Sequence, residues 1–268
     1  MATPSLPDYH THTRLCKHAD GVPLDYVRAA EVNGIPEIAC TDHCPTDDKF
    51  GIGHRMALTD YETYEGWVRE AQAGAGTIRV LYGVEADYYP NCERFLKPWI
   101  ESHDYDVVLG SVHFLDYWAE DSSKKGLSNA KHPAKVWKGY FELIGRMADT
   151  GMYDIATHLD LPKKFGNPID DRELRDVCLP ALDRIAEAGM CMEINTSGLN
   201  HPPKESYPSL QILSWARERG IGLTFGSDAH QPARVGADFE SALKLAREAG
   251  YTSHVRFEKR KQTVVPLA

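Results

Sequence analysis

With 268 residues, 42% hydrophobic and 26% charged, the chain has the size and composition of an ordinary globular protein, and no biased or repeated tract marks a disordered tail. A formal charge of −9 argues against a nucleic-acid partner, because sequence-independent binding rests on Lys and Arg opposing phosphates. It leaves room for a small phosphorylated substrate, since bound cations can reverse a local field.

No apolar run approaches the roughly 20 residues of a membrane helix, and the start of the chain lacks a charged-then-apolar leader. No membrane partner and a cytoplasmic location are therefore expected. Cys16, Cys40, Cys44, Cys92, Cys178 and Cys191 form no Cys-x-x-Cys pair and read as free thiols. Cys44 stands beside His43 and could be a ligand, although packing suits most of the set.

Taken in order, the periodicity predicts a strand at 6–10, a helix near 24–33, a strand at 35–41, a helix near 60–73 and a strand at 77–85. A helix near 91–102 and a strand at 106–112 follow. Val136, Trp137, Tyr140, Phe141, Ile144, Met147 and Ala148 then repeat at helical spacing, with Gly151 as a stop. After a strand at 153–157, Leu174, Val177, Cys178, Ala181, Leu182, Ile185 and Ala186 mark a second regular helix, with Asp170 near its start, Gly189 after it and Pro180 as a bend. Strands at 191–195 and 222–226 alternate with helices near 209–219 and 238–249, which stop at Gly220 and Gly250. Strands this apolar, without alternation, are covered on both faces. The pattern is that of seven βα units in a single domain over 1–268, a closed or nearly closed α/β barrel. The polar, helix-poor stretch 120–131 reads as an excursion of the fourth βα loop.

Metal-competent side chains fall at the C-terminal ends of these strands. They are His10-Thr11-His12, Asp42-His43, Glu85, His113, His158 and Asp228-Ala229-His230, on the rim where parallel barrels place their active sites. A His-x-His pair on an extended segment sends both rings to one side, where they can chelate a cation. His54, His103, His132, His201 and His254 do not follow strand ends and are left outside the site. No Gly-x-x-x-x-Gly-Lys-Ser/Thr loop, no Gly-x-Gly-x-x-Gly after the first strand and no Gly-x-Ser-x-Gly elbow is present, which removes the main support for nucleotide-motor and serine-hydrolase readings.

The order and spacing of His10-Thr-His12, Thr41-Asp42-His43, Gly83-Val-Glu85, Gly110-Ser-Val-His113, His158 and Gly226-Ser-Asp228-Ala-His230 resemble the polymerase-and-histidinol-phosphatase (PHP) superfamily. Asp8 to Thr13, His18-Ala19, Thr157-His158-Leu159-Asp160 and Glu193 to Gly198 are most similar to its histidinol-phosphatase branch. The resemblance implies a distorted seven-stranded (β/α) barrel holding three divalent ions, with Zn, Mn and Fe all suited to the mixed ligand set. It implies His10, His12, Glu85 and Asp228 on one ion, Glu85, His113 and His158 on a second, and His18, His43 and His230 on a third. Where many members of that branch are expected to carry a basic residue, this chain reads Leu199 to Lys204. Arg14, Lys163, Lys164 and Arg234 are then the candidates for phosphate contact.

The implied activity is hydrolysis of L-histidinol phosphate to L-histidinol and phosphate, in histidine biosynthesis. Clustered cations would neutralise the ester's oxygens and generate a nucleophile from water. Asp160, two residues beyond His158, would act as general acid or would orient a ligating histidine. The rival readings are another phosphoesterase or nuclease of the superfamily, a non-catalytic metal-stabilised domain, and amide hydrolysis on a similar barrel.

Overall fold

The computed structural model of the protein describes residues 5–115 and 133–267. The excursion expected at 120–131 lies outside the described residues.

The expected helices appear as α1 (Pro23–Asn33), α2 (Tyr61–Ala73), α3 (Glu93–Glu101), α4 (Pro133–Asp149), α5 (Asp171–Glu187), α6 (Leu210–Glu218) and α7 (Phe239–Glu248). Their ends carry the local chemistry that sets them. Pro23 opens α1 with its φ already helical, Asp25 accepts from the Val22 N–H, and Gly34, at φ 69°, stops it in the left-handed region. In α5 the Asp170 carboxylate accepts from the N–H groups of Arg172 and Glu173. Pro180 lies inside α5.

Six parallel strands pair in chain order: β1 (Glu37–Cys40), β2 (Arg79–Asp87), β3 (Val107–Ser111), β4 (Ile155–Ala156), β5 (Cys191–Asn195) and β6 (Leu223–Gly226). The strand expected at 6–10 is not regular. Instead, the segment bonds to both edges of the sheet: Asp8 N donates to Glu37 O and Tyr9 N to Phe225 O, each at 2.9 Å, and His12 N donates to Ala229 O at 3.0 Å. The physical reason for its irregularity is Asp8, a buried carboxylate that accepts from Ser227 N at 2.9 Å and Gly236 N at 2.8 Å. Side-chain bonds of this kind compete with a backbone ladder.

An element absent from the sequence reading follows α7. β7 (Ser253–Glu258) and β8 (Lys261–Pro266) form an antiparallel hairpin. Its turn residues Lys259 and Arg260 have φ of 46° and 64°, the geometry usually signalled by Asn-Gly. Arg260 N donates to Asp106 O at 2.8 Å, and its guanidinium pairs with Asp154, which fastens the turn to the sheet.

The hydrophobic residues divide into two bodies. One lies between the sheet and its helices, with Tyr64, Tyr140, Phe141, Ile144, Leu182, Ile212 and Phe225 among its buried members. The other comprises Tyr9, Ala39, Leu81, Val107, Leu109, Ile155 and Cys191, closed by Val255 and Phe257 of β7. Burying each of those last two is worth roughly 1.5–3 kcal/mol.

Candidate metal centre

Side chains alternate along a strand, so the face that carries the second hydrophobic body continues upward into polar residues. β2 runs Leu81, Gly83, Glu85, Asp87; β3 runs Val107, Leu109, Ser111; β5 runs Cys191, Glu193, Asn195. Glu85, His10, His12 and His158 are each at most 2% exposed.

Glu85 is the hub. Its Oε2 lies 3.0 Å from His43 Nδ1, 3.3 Å from His10 Nε2 and 3.6 Å from His12 Nε2. Its Oε1 lies 3.1 Å from His158 Nε2 and 3.6 Å from His113 Nε2. Asp228 Oδ1 adds contacts of 3.1 Å to His12 Nε2 and 3.7 Å to His10 Nε2. Among the described residues, His10 Nε2, His12 Nδ1, His43 Nδ1, His158 Nδ1 and Glu85 Oε2 are buried without a hydrogen-bond partner, a state that natural proteins rarely leave uncompensated. Donors on a tetrahedral cation with bonds of 2.0–2.1 Å stand about 3.3 Å apart. The spacing and the orphaned atoms together fit divalent cations.

A second group lies further out. His18 is more exposed, yet its ring centroid is 4.8 Å from that of His230 and 5.4 Å from that of His43. His12, His43 and His230 could hold an ion, as could Cys16, His18 and His230, the ligating atoms in each set lying within 4.8 Å of one another. Every histidine, glutamate and aspartate expected as a ligand is therefore brought into one connected cluster. His54, left outside by the sequence reading, stands at its rim, 5.6 Å from the ring of His18.

Two carboxylates that the sequence reading did not assign, Glu193 and Asp87, and a third that it placed at a strand end, Asp42, hold the cluster in place. Glu193 accepts at 3.0 Å from His10 Nδ1, at 2.9 Å from His158 N and at 2.8 Å from Asn195 Nδ2. Gly226 makes this possible, because a Cβ there would stand 2.4 Å from Glu193 Oε2 and 2.7 Å from His10 Cβ. Asp87 takes His113 Nδ1 and is itself held by Arg55 and by Ser111 Oγ. Asp42 accepts from Thr13 and from His43 N. Partners of this sort fix the tautomer and raise the basicity of the opposite ring nitrogen. The available signal was the period of two, which puts Asp87 and Glu193 on the same faces as Glu85 and Asn195.

Asp160 is 1% exposed. Burial pushes its pKa up to about 6 against the lowering effect of Lys163, and its Oδ1 has no partner. Its Oδ2 accepts from Ser209 N at 2.8 Å and lies 3.0 Å from Lys163 Nζ, so its contacts are not with His158. Lys163 also donates to Ser206 O at 2.7 Å. Arg14 lies over the Trp67 ring and Lys164 over Phe165, while Arg234 pairs with Asp238; none of these partners is a member of the ligand cluster.

Charge is shared through the whole group. Burial disfavours ionised Glu85, but His43, His10 and His113 hold its carboxyl well below the usual range. Burial likewise disfavours protonated His10, and Glu193, Glu85 and Asp228 raise it well above an ordinary histidine. His43 and His230 are pushed down by burial, His230 to about 4. His158 and Asp228 sit at φ 26° and 53°, conformations that cost about 1–3 kcal/mol each and cluster at functional sites.

A PHP domain model matches residues 8–197. A probable histidinol-phosphatase of Deinococcus radiodurans is 37% identical over 96% of this chain and 98% of its own length. The histidinol-phosphatase of Bacillus subtilis is 29% identical, covering 88% of this chain and 98% of its own. The fold is shared with a histidinol phosphate phosphatase from Lactococcus lactis, solved with zinc, L-histidinol and phosphate, at a TM-score of 0.82 and 22% identity over 97% of this chain and 99% of that one. The chain belongs to the PHP domain family. Among the described residues, no helix is long and apolar enough to cross a membrane.

Proposed function

We propose that this chain is a histidinol-phosphatase, a phosphoric monoester hydrolase converting L-histidinol phosphate to L-histidinol and phosphate, and that residues 1–268 work as one domain. The observation that carries the reading is the group of buried atoms without hydrogen-bond partners formed by Glu85 Oε2 with His10 Nε2 and His43 Nδ1 beside it, in a chain 37% identical over 96% of its length to a probable histidinol-phosphatase.

His10, His12, Glu85 and Asp228 would hold one divalent ion and Glu85, His113 and His158 a second, with a third held further out by a set that includes His18 and His230; zinc, manganese and iron all suit these donors. Ions there supply neutralisation of a phosphate dianion and activation of water. Glu85 is suited to bridge, because a carboxylate offers two oxygens where an imidazole offers one lone pair. Glu193 ties His10 Nδ1 and so leaves Nε2 facing Glu85; Asp87 does the same for His113. Asp160, buried with one free oxygen beside Lys163, is the proposed donor of the proton that the leaving alkoxide requires. Arg14, Lys163 and Arg234 are the proposed phosphate contacts. This requires release from Trp67, from Asp160 and from Asp238 respectively.

Purified protein should contain zinc, manganese or iron by elemental analysis and should prefer histidinol phosphate over nucleotide monophosphates and short DNA. Chelation should abolish turnover and added divalent ions should restore it. Full activity in rigorously metal-free protein, or a preference for nucleotides, would refute the proposal.

A further inference from the structure

We propose that Cys16 is a thiolate ligand of the outermost ion, closing a Cys16–His18–His230 site. This rests on the reading that the cluster takes metal ions. The resemblance puts His43 beside His18 and His230. In the structure, however, the group that includes His18 is completed by Cys16. His43 turns Nδ1 onto Glu85 Oε2 at 3.0 Å and groups with Glu85 and His113 on one side and His12 and His230 on the other.

Both outer imidazoles are held in one tautomer. His18 Nδ1 lies 2.8 Å from Cys16 O, and His230 Nδ1 lies 2.9 Å from Asp228 O. A carbonyl only accepts, so each Nδ1 carries the proton and each Nε2 presents a lone pair. His12 is 1% exposed and shares a group with Cys16 and Asp42; with its Nε2 turned to Asp228 Oδ1 at 3.1 Å, its Nδ1 carries the proton and has no hydrogen-bond partner, a donor available to a thiolate. The chain aims the sulfur at these atoms. Thr13 Oγ1 caps the turn Arg14–Cys16 by accepting from Leu15 N at 3.2 Å, Cys16 is fully buried, and Lys17 at φ 73° brings the chain back so that His18 follows.

A neutral thiol offers one weak donor to several imidazole lone pairs. A thiolate on a cation satisfies them together. As the sulfur–metal bond forms, the S–H bond breaks and its proton passes to solvent, with no change of oxidation state. A soft sulfur donor among imidazoles favours zinc over manganese at this position.

The test is full-length protein loaded with cobalt(II), compared with Cys16→Ser. Wild type should show visible ligand-field bands together with a near-ultraviolet sulfur-to-cobalt charge-transfer band, and the variant should keep the first and lose the second. Zinc affinity of the weakest-bound ion should fall roughly tenfold or more in the variant, a loss of the size that follows disturbed ligation, with a smaller change for manganese. X-ray absorption of zinc-loaded wild type, which needs no variant, should show a sulfur at about 2.3 Å. Ligand-field bands without a sulfur band or sulfur scatterer overturn this inference alone, as does a sulfur band that survives in Cys16→Ser. Failure of wild type to bind cobalt or zinc at all overturns it together with the metal reading.

Discussion

The lower and upper halves of the sheet's inner face are built on the same strands and obey opposite rules. Below, Tyr9, Ala39, Leu81, Leu109, Ile155 and Cys191 meet Val255 and Phe257 in a body of apolar contacts. Above, within four residues of Leu81 along β2, Glu85 faces five histidines, and several of the buried polar atoms there have no partner. The lower half contributes stability by removing apolar surface from water. The upper half stores unmet polar demand, which a cation can satisfy. The comparison teaches that stability and function have been separated along the strand axis, so each should fail without the other.

The most direct way to break that separation is to substitute at both levels. Glu85→Gln should lower kcat/KM by about a thousandfold or more, the scale seen when one charge-stabilising group is removed, with little change in the urea midpoint. Phe257→Ala should do the reverse, costing about 3–5 kcal/mol in chemical denaturation while the folded fraction keeps its turnover. Equal losses of both properties in either variant would sink the two-level picture.

A finer probe sits on the boundary. Glu193→Gln keeps the shape but weakens the hold on His10 and His158, and metal affinity measured by competition with a chelator should drop about 10–100-fold. An unchanged affinity would mean that Glu193 serves packing alone.

The smallest effect lies on the opposite face of β7 from Val255 and Phe257, where the His254 ring is 6.1 Å from that of Phe225. His254 is 2% exposed and both ring nitrogens lack partners; burial, with Arg256 adding to it, lowers its pKa from 6.5 to about 4. The folded value lies below the unfolded one, so the neutral form is favoured by folding. Its contribution is fully present above pH 6.5 and is lost as pH falls from there toward 4. The shift is worth at most about 3 kcal/mol. In urea titrations at pH 7 and 4.5, His254→Phe should lose less stability on acidification than wild type, and parallel losses would exclude this group as the source.

Much of the architecture was legible from the chain because its signals are local. The Asp170 cap, the Gly220 and Gly250 stops and the apolar repeat of α4 each lie within a few residues of what they control. Histidines and carboxylates at strand ends were legible for the same reason, since strand direction alone sends them to one rim. The hairpin after α7 escaped because its turn uses Lys259 and Arg260 at positive φ, without the glycine that normally announces such geometry. The irregularity of the first segment escaped because its cause, Ser227, is 219 positions away from Asp8.

Residue type and spacing were enough to say that this chain alternates parallel strands with helices in an α/β barrel and gathers metal-competent side chains along a single edge, because both follow from periods of 3.6 and 2 along a backbone, while the PHP type of that barrel came from the resemblance of its motifs. Which nitrogen of each imidazole faces inward, which carboxylate restrains it, and that Cys16 as well as His43 lies near His18 came only from closure of the sheet. A polar atom's partner is set by what arrives across space, and for Glu193 and His10 that neighbour lies 183 residues along the chain.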